Sequence, residues 1–223
     1  NIWGADHHGH VARLQAALDG LGLDGSHRLV IVLMQLVNLL QDGKPVRMSK
    51  RTGKAIALHD LLDEISVDAA RYYFNNRTPS SPLDFDLDLA VRQDSENPVY
   101  YVQYAHARIC SLIARLAEEE GAAVPAAASV DAALLSTAEE LALVKALAQY
   151  PEELNLAARD YDPSRINRYL TALAGDFHRF YNACRLKGEA EAVLSARLKL
   201  ADTVRSVLAN GLNLLGVTAP EKM

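Results

Sequence analysis

Apolar residues recur along this chain at two different periods, and the change divides it. Leu14, Leu18 and Leu21 follow Val11 at helical spacing until Gly20 and Gly22 interrupt the pattern, and residues 2–10 before them read as a strand end turning into a helix. Residues 28–40 are almost continuously apolar around Val30, Ile31 and Val32, which predicts a strand buried on both faces of a parallel sheet. Gln41-Asp42-Gly43 predicts a turn after it. Residues 1–54 therefore supply a strand–helix–strand piece of an α/β sheet, short of a whole one.

Beyond that point the helical period dominates. Residues 58–65 and 68–74 read as short helices, with Ser66 as the cap between them. Residues 78–82 form a loop, and 83–89 alternate apolar residues with Asp84, Asp86 and Asp88. Asn97 and Pro98 open a long helix. Its core stripe is Val102, Ala105, Ile109, Leu112 and Leu116, and Tyr101, Tyr104, Arg108 and Arg115 fall on a neighbouring face. The Ala- and Pro-rich residues 121–130 make a flexible connection. Ser136-Thr137-Ala138-Glu139 reads as a capping box opening a helix that runs to Tyr150 and ends at Pro151. Asp162-Pro163 opens another, with Ile166, Leu170, Leu173, Phe177 and Phe180 inside and Arg165, Arg168 and Arg179 outside. The last runs over 197–215, burying Leu198, Ala201, Val204, Leu208 and Leu212, and stops at Gly216. Such a series without intervening strands predicts an α-helical bundle over 97–223, joined to 1–54 by a connecting segment over 55–96.

The chain has 223 residues, 50% hydrophobic and 23% charged, the composition of a soluble globular protein. Its formal net charge of −5 argues against a general polyanion binder, so any nucleic-acid surface must be a local patch. Cys110 and Cys184 are far apart and read as buried thiols of a reducing compartment. No apolar run reaches the ~20 residues of a membrane-spanning helix. Asn1 is not an initiating Met and no signal-peptide pattern follows it, so the chain reads as if joined in mid-domain.

Three stretches carry candidate chemistry. His7, His8 and His10 suit metal ligation, base catalysis or polar packing, and without further ligands no metal site is expected. Asp84, Asp86 and Asp88 begin like a calcium loop, but its sixth and twelfth positions hold Leu89 and Ser95, which excludes one. Four of the ten residues starting at Pro45 are cationic, namely Arg47, Lys50, Arg51 and Lys54, with Gly43 before the stretch and Gly53 near its end. Such a loop suits neutralising charge on a polyphosphate, or is a solvated basic turn. The face of Tyr101, Tyr104, Arg108 and Arg115 offers unstacked bases a flat surface and a charge; tyrosines at a core boundary are the alternative.

Arg47-Met48-Ser49-Lys50-Arg51 resembles the Lys-Met-Ser-Lys-Ser signature loop of class I aminoacyl-tRNA synthetases, with Arg47 in place of the first Lys and Arg51 in place of the last Ser. Gly4-Ala5-Asp6-His7 and Ser81-Pro82-Leu83-Asp84-Phe85-Asp86 are similar to segments of the arginyl members, and Asp68-Ala69-Ala70-Arg71-Tyr72-Tyr73-Phe74, which by periodicity alone is an ordinary amphipathic helix, resembles the segment after the signature loop in class Ia synthetases. The run Tyr101-Val102-Gln103-Tyr104-Ala105-His106-Ala107-Arg108 resembles the opening of their anticodon-binding domain, and the last eleven residues, to Met223, resemble their C-terminus. The resemblance spans Gly4 to Met223 and identifies the chain as similar to the C-terminal portion of arginyl-tRNA synthetases.

It implies a mainly α fold: the C-terminal part of a Rossmann-like α/β catalytic domain followed by an α-helical bundle anticodon-binding domain. It implies an enzyme that joins arginine to its tRNA through arginyl-adenylate, with ATP and accompanying Mg²⁺ as substrate and no protein-bound metal. Lys50 and Arg47 would stabilise the transferring phosphate, Met48 and Ser49 would meet the adenine, Gly4, Asp6 and His10 the ribose, and His7 the amino-acid side. Tyr101, Tyr104, Arg108, Tyr181 and Met223 would meet the arginine tRNA. A cytoplasmic protein, monomeric at full length, is expected. The family's His-Ile-Gly-His signature and its arginine-gripping acidic residues do not occur here, so the isolated chain is expected to be inactive yet to keep some tRNA binding. The alternatives are a non-catalytic helical tRNA-binding or docking module and a sister class Ia synthetase.

Overall fold

The computed structural model describes residues 1–46 and 57–223, so the basic stretch with Arg47, Met48, Ser49 and Lys50 lies outside the described residues. Strand β1 (Ile2–Gly4) runs into a 3-10 turn (Ala5–His10) and helix α1 (Val11–Gly20); after α2 (Gly25–Arg28) the chain returns as β2 (Val32–Met34), parallel to β1 with Gly4 opposite Met34. This is the predicted strand–helix–strand unit.

The single buried strand expected over 28–40 is instead two. After β2 the chain leaves the first sheet, the Gln35 amide bonds the Pro79 carbonyl at 2.9 Å, and β3 (Val37–Gln41) enters a second sheet. There it lies between β4 (Lys44–Pro45), antiparallel, and β5 (Leu83–Asp86), parallel. No residue of β2 or β3 is fully buried, and Leu36 at the crossing is 84% exposed. Apolar composition marks residues able to sit in a sheet interior, but burial on both faces needs covering layers, and the described elements cover these strands only in part.

The β3–β4 hairpin closes on Asp42 and Gly43, with φ of 51° and 67°, the left-handed pair that a two-residue turn requires. The three aspartates rejected as a calcium loop all hold this corner together. Asp84 accepts from Asn38 Nδ2 at 2.9 Å, Asp88 from the Asp42 amide at 2.6 Å, and Asp86 from the Leu89 amide at 3.0 Å, capping α5 (Leu87–Ala90). Helices α3 (Leu58–Glu64) and α4 (Val67–Phe74) stand where expected, and Ser66 Oγ accepts from the Ala69 amide at 3.1 Å.

Four long helices follow: α6 (Pro98–Glu120), α7 (Ala138–Asp160), α8 (Ser164–Ala183) and α9 (Glu191–Leu214). The predicted stripes of α6, α8 and α9 are buried throughout, with Ile109, Leu170, Phe177, Phe180, Leu208 and Leu212 fully enclosed. Helix α7 departs from expectation by running through Pro151. Pro151 lacks the N–H that would bond the Leu147 carbonyl. Packing around it compensates: Tyr150 bonds Asn210 Oδ1 at 2.5 Å, and the Tyr169 hydroxyl bonds the Ala146 carbonyl at 2.9 Å. The capping box also sits one residue later, Thr137 being the N-cap and Glu140 its reciprocal partner. Glu140 is fully buried because Arg197 of α9 reaches it at 2.6 Å, a long-range pairing that local sequence does not announce. Arg165 is half-buried against Glu153 at 3.1 Å, whereas Arg168 and Arg179 are exposed; Cys184 is buried, but Cys110 only half so.

The connecting segment is bolted to the bundle by buried polar pairs. The Tyr72 hydroxyl meets Thr171 Oγ1 at 2.9 Å, Asn167 Nδ2 donates to the Tyr72 carbonyl at 2.9 Å, and burial pushes the Tyr72 phenol up to about 12. Among the described residues no helix is long and apolar enough to cross a membrane.

Candidate nucleic-acid interface

Asn97 caps α6 through its own side chain, accepting from the Val99 amide at 3.3 Å, and its amide nitrogen bonds the carbonyls of Ala90 and Arg92. That fixes how α6 is rotated. With Val102, Ala105 and Ile109 turned into the core, Tyr101, Tyr104 and Arg108 are set along the flank that meets α8, and Tyr100 lies beside Tyr104.

The rings form a continuous series. Tyr100 and Tyr104 lie parallel, 6.1 Å apart between centroids and 6° between planes. Tyr104 is 39% exposed and lies 6.0 Å from His178 of α8. Tyr101 is half-buried, 5.0 Å from the same imidazole, and its hydroxyl crosses α8 at Gly175, where an added Cβ would come within 3.4 Å. The Arg108 guanidinium lies 4.0 Å above the Tyr181 ring and 5.8 Å from that of Tyr104. Arg115, about two turns beyond, donates to the Tyr181 hydroxyl at 3.5 Å. That hydrogen bond, with Arg108 beside it, holds the Tyr181 phenol below its ordinary value against the opposing effect of burial. Burial, and then the positive charge of Arg108, pushes the His178 imidazole down, and its Nδ1 is enclosed without a hydrogen-bond partner among the described residues, both of which favour the neutral ring. The result is a polarised strip: flat rings at one end, two guanidiniums at the other.

Met223 sits elsewhere on α6, beside Tyr100 and Gln103. The tail that carries it is held by two residues of the same helix. His106 Nδ1 meets the Pro220 carbonyl at 2.8 Å, and Gln103 Nε2 bonds Asp68 at 2.8 Å and the Thr218 carbonyl at 3.0 Å. Sequence reasoning named none of Tyr100, Gln103, His106 and His178 as site residues. Tyr100 was detectable in principle as an i, i+4 aromatic pair with Tyr104; His178 acquires its place only from the α6–α8 crossing.

At the other end of the chain, Gly4, Asp6, His7 and His10 are all exposed at the carboxyl end of β1. The exposed Asp6 side chain folds back over Gly4, its Oδ1 2.6 Å from where a Cβ on Gly4 would lie. His7 Nδ1 is 3.8 Å from Asp6, and the His7 and His10 rings are 6.1 Å apart. Among the described residues no group of three His, Cys, Asp or Glu gathers to hold a metal.

Comparison with known proteins matches the whole chain. Over all 223 residues the chain is 54% identical to the arginine–tRNA ligases of Ruminiclostridium cellulolyticum and Caldanaerobacter subterraneus, matching their C-terminal part. It spans 39% of the length of each of these curated relatives. The solved structure of a proposed arginyl-tRNA synthetase from Campylobacter jejuni matches the whole chain at a TM-score of 0.88 and 37% identity, over 47% of its own length. The Thermus thermophilus arginyl-tRNA synthetase shares the fold at a TM-score of 0.82 and 22% identity, the chain covering 40% of it. Residues 102–223, the bundle that bears the strip of tyrosines and arginines, match the DALR anticodon binding domain, and the chain belongs to that family.

Proposed function

We propose that this chain is the RNA-reading portion of an arginine–tRNA ligase, and that it grips the anticodon loop of arginine tRNA with the α6–α8 strip. The strip itself carries this reading: Tyr104 exposed beside Tyr101, with Arg108 stacked on Tyr181, joins base-stacking faces to guanidiniums suited to phosphate. A chain with a net charge of −5 gains RNA affinity only where cations are concentrated in this way. Met223 belongs to the same interface. In the complete enzyme, arginine would be activated with ATP and its Mg²⁺ to arginyl-adenylate and pyrophosphate, then moved to the tRNA.

The N-terminal stretch, to residue 54, takes the nucleotide in this reading. Asp6 is placed to accept from ribose hydroxyls with Gly4 and His10 beside it, His7 lies toward the amino acid, Met48 and Ser49 meet the adenine, and Lys50 and Arg47 neutralise the transferring phosphate. Residues 55–96 join that stretch to the RNA-binding domain over 97–223. The enzyme works in the cytoplasm as a monomer, and this chain by itself does not activate arginine.

Band-shift titration of the chain with arginine tRNA at low salt tests the reading. Binding is expected, stronger than to a tRNA of another specificity, and Tyr104→Ala should weaken it by about 1–3 kcal/mol. Equal affinity for both tRNAs, or none, refutes it. Arginine-dependent ATP–pyrophosphate exchange by the chain alone would refute the claim that it is inactive in isolation.

A further inference from the structure

Tyr181 faces two ways. Arg108 stacks on its ring, while its hydroxyl accepts from Arg115 on the wall of a separate cavity of about 370 Å³. This cavity lies between the second half of α6 and the chain just past α8. Leu112, Leu116 and Leu186, all buried, form its floor, and Arg115, Arg185 and Lys187 line it as exposed side chains.

The segment carrying Arg185 and Lys187 is held in place by its own neighbours. Cys184 is buried, its amide on the Phe180 carbonyl at 2.8 Å and its Sγ 3.4 Å from Thr137 Oγ1. The Arg185 carbonyl accepts from Arg197 at 2.5 Å, Lys187 pairs with Glu119 at 2.6 Å, and the Gly188 amide bonds Glu120 at 3.2 Å. A loop fixed in this way gives up little further backbone freedom when it binds a ligand.

The charges around the cavity do not cancel. No carboxylate is part of the lining, and the two nearby, Glu119 and Glu120, are taken by Lys187 and the Gly188 amide. The Arg185 side chain makes no hydrogen bond or ion pair among the described residues, only its carbonyl being engaged. Arg115 has a phenol as its one hydrogen-bond partner among them. Two guanidiniums above an apolar floor, which keeps water from one side, draw an anion more strongly than the same charges in open solvent. A nucleobase fits less well, because Arg108 already covers the Tyr181 ring and no side-chain amide lines the cavity.

We propose that this cavity holds one backbone phosphate of the bound RNA, gripped by Arg185 and Arg115, with the adjoining ribose against the leucine floor. The proposal rests on the reading of the strip as an RNA surface and adds to it a contact of a different kind. Arg115 stands about 10 Å further along α6 than Arg108, so the backbone of a loop stacked on the strip continues into the cavity. A phosphate contact carries no base identity, so this one sets the register of the RNA and leaves the choice of RNA to the strip.

The test uses the whole chain, with affinities measured by titration at several salt concentrations. Arg185→Gln should weaken binding of arginine tRNA roughly fivefold at low salt. It should also reduce the slope of log affinity against log salt by about 0.7. The loss should be the same factor for a tRNA of another specificity, leaving their ratio unchanged. Anticodon-arm hairpins of arginine tRNA, each with one backbone linkage replaced by an uncharged methylphosphonate, locate the contact. One linkage should cost the parent chain about as much as Arg185→Gln does, and on that hairpin alone Arg185→Gln should cause no further loss. Unchanged affinity of Arg185→Gln overturns the proposal, as does an equal loss on every hairpin, which would mean a diffuse field and no site. The parent chain tested on the hairpins needs no variant to fold: no linkage standing out from the rest also overturns it. Inorganic phosphate bound by the parent and lost in Arg185→Gln, with RNA affinity unchanged, would mean a site for the free ion and overturn it too. Tyr104→Ala and Arg108→Gln separate the two failures. If they weaken binding and Arg185→Gln does not, the strip stands and the phosphate site falls. If none of the three changes affinity, the RNA surface falls and the phosphate site with it.

Discussion

Replacing Glu140 with Gln, and separately with Ala, probes the joint where α7, α9 and the turn before α9 meet. Glu140 is fully buried. One carboxylate oxygen accepts from the Ser136 and Thr137 amides at 2.8 and 2.9 Å, closing the first turn of α7, and the other accepts from Arg197 Nε at 2.6 Å. Burial alone would push this carboxyl up. The Thr137 amide and the Arg197 guanidinium outweigh it and hold Glu140 below its ordinary value. Removing one partner of a buried pair costs about 3–5 kcal/mol and removing a cap about 1 kcal/mol. Arg197 keeps the Arg185 carbonyl at 2.5 Å and Glu189 at 3.2 Å, which puts Glu140→Ala near the lower end, at about 3 kcal/mol. For a chain of this size that lowers the melting temperature by roughly 6–12 °C. Glu140→Gln keeps an oxygen for the amides but loses the charge, and should cost about half as much.

The sign of the pH dependence follows from the direction of the shift. A carboxyl whose folded value is depressed stabilises fully above its unfolded value, and the gain disappears as pH falls through the folded one. Urea unfolding of parent and Glu140→Gln should therefore show a constant gap at neutral pH that narrows in acid, below the ordinary glutamate range. A Gln variant within about 0.5 kcal/mol of the parent at pH 7, or a gap that persists unchanged at the lowest pH where the chain folds, would refute the reasoning.

Other outcomes follow from single contacts. Arg108→Gln should weaken tRNA binding and reduce the slope of log affinity against log salt by roughly 0.7, read from titrations at several salt concentrations. Gly211 faces α8, where an added Cβ would lie 2.6 Å from Leu170 Cδ2; Leu170 is fully buried, so Gly211→Ala should destabilise by about 1–2 kcal/mol in urea despite alanine's better helix propensity. Tyr72→Phe, which removes a buried hydroxyl bonded to Thr171, should cost about 1 kcal/mol by the same measurement. Lys50→Ala in a complete arginine–tRNA ligase carrying this chain should lower turnover by about 3 kcal/mol with little change in tRNA affinity, a split read from kcat and binding side by side.

Local rules were enough to specify three of the four long helices, α6, α8 and α9. Periodicity fixed which faces of α6, α8 and α9 are buried, because a 3.6-residue repeat of apolar side chains has one low-energy orientation against a core. Asn97-Pro98, Ser66 and Asp42-Gly43 marked boundaries because capping and left-handed turns are satisfied within a few residues. The tyrosines and Arg108 were legible for the same reason, lying on one face of one helix. Tertiary structure alone decided the rest. Pro151 lies inside α7 because Asn210 and Tyr169, from elsewhere in the bundle, fasten the helix in the residues leading up to it. Residues 28–40 divide between two sheets because β3 finds its parallel partner in β5, more than forty residues away. His178, Tyr181 and Met223 join α6 only through helix crossing and the fastening of the tail. A sequence records which side chains favour burial or a turn; which distant group completes a hydrogen bond or a stack depends on where the chain places both.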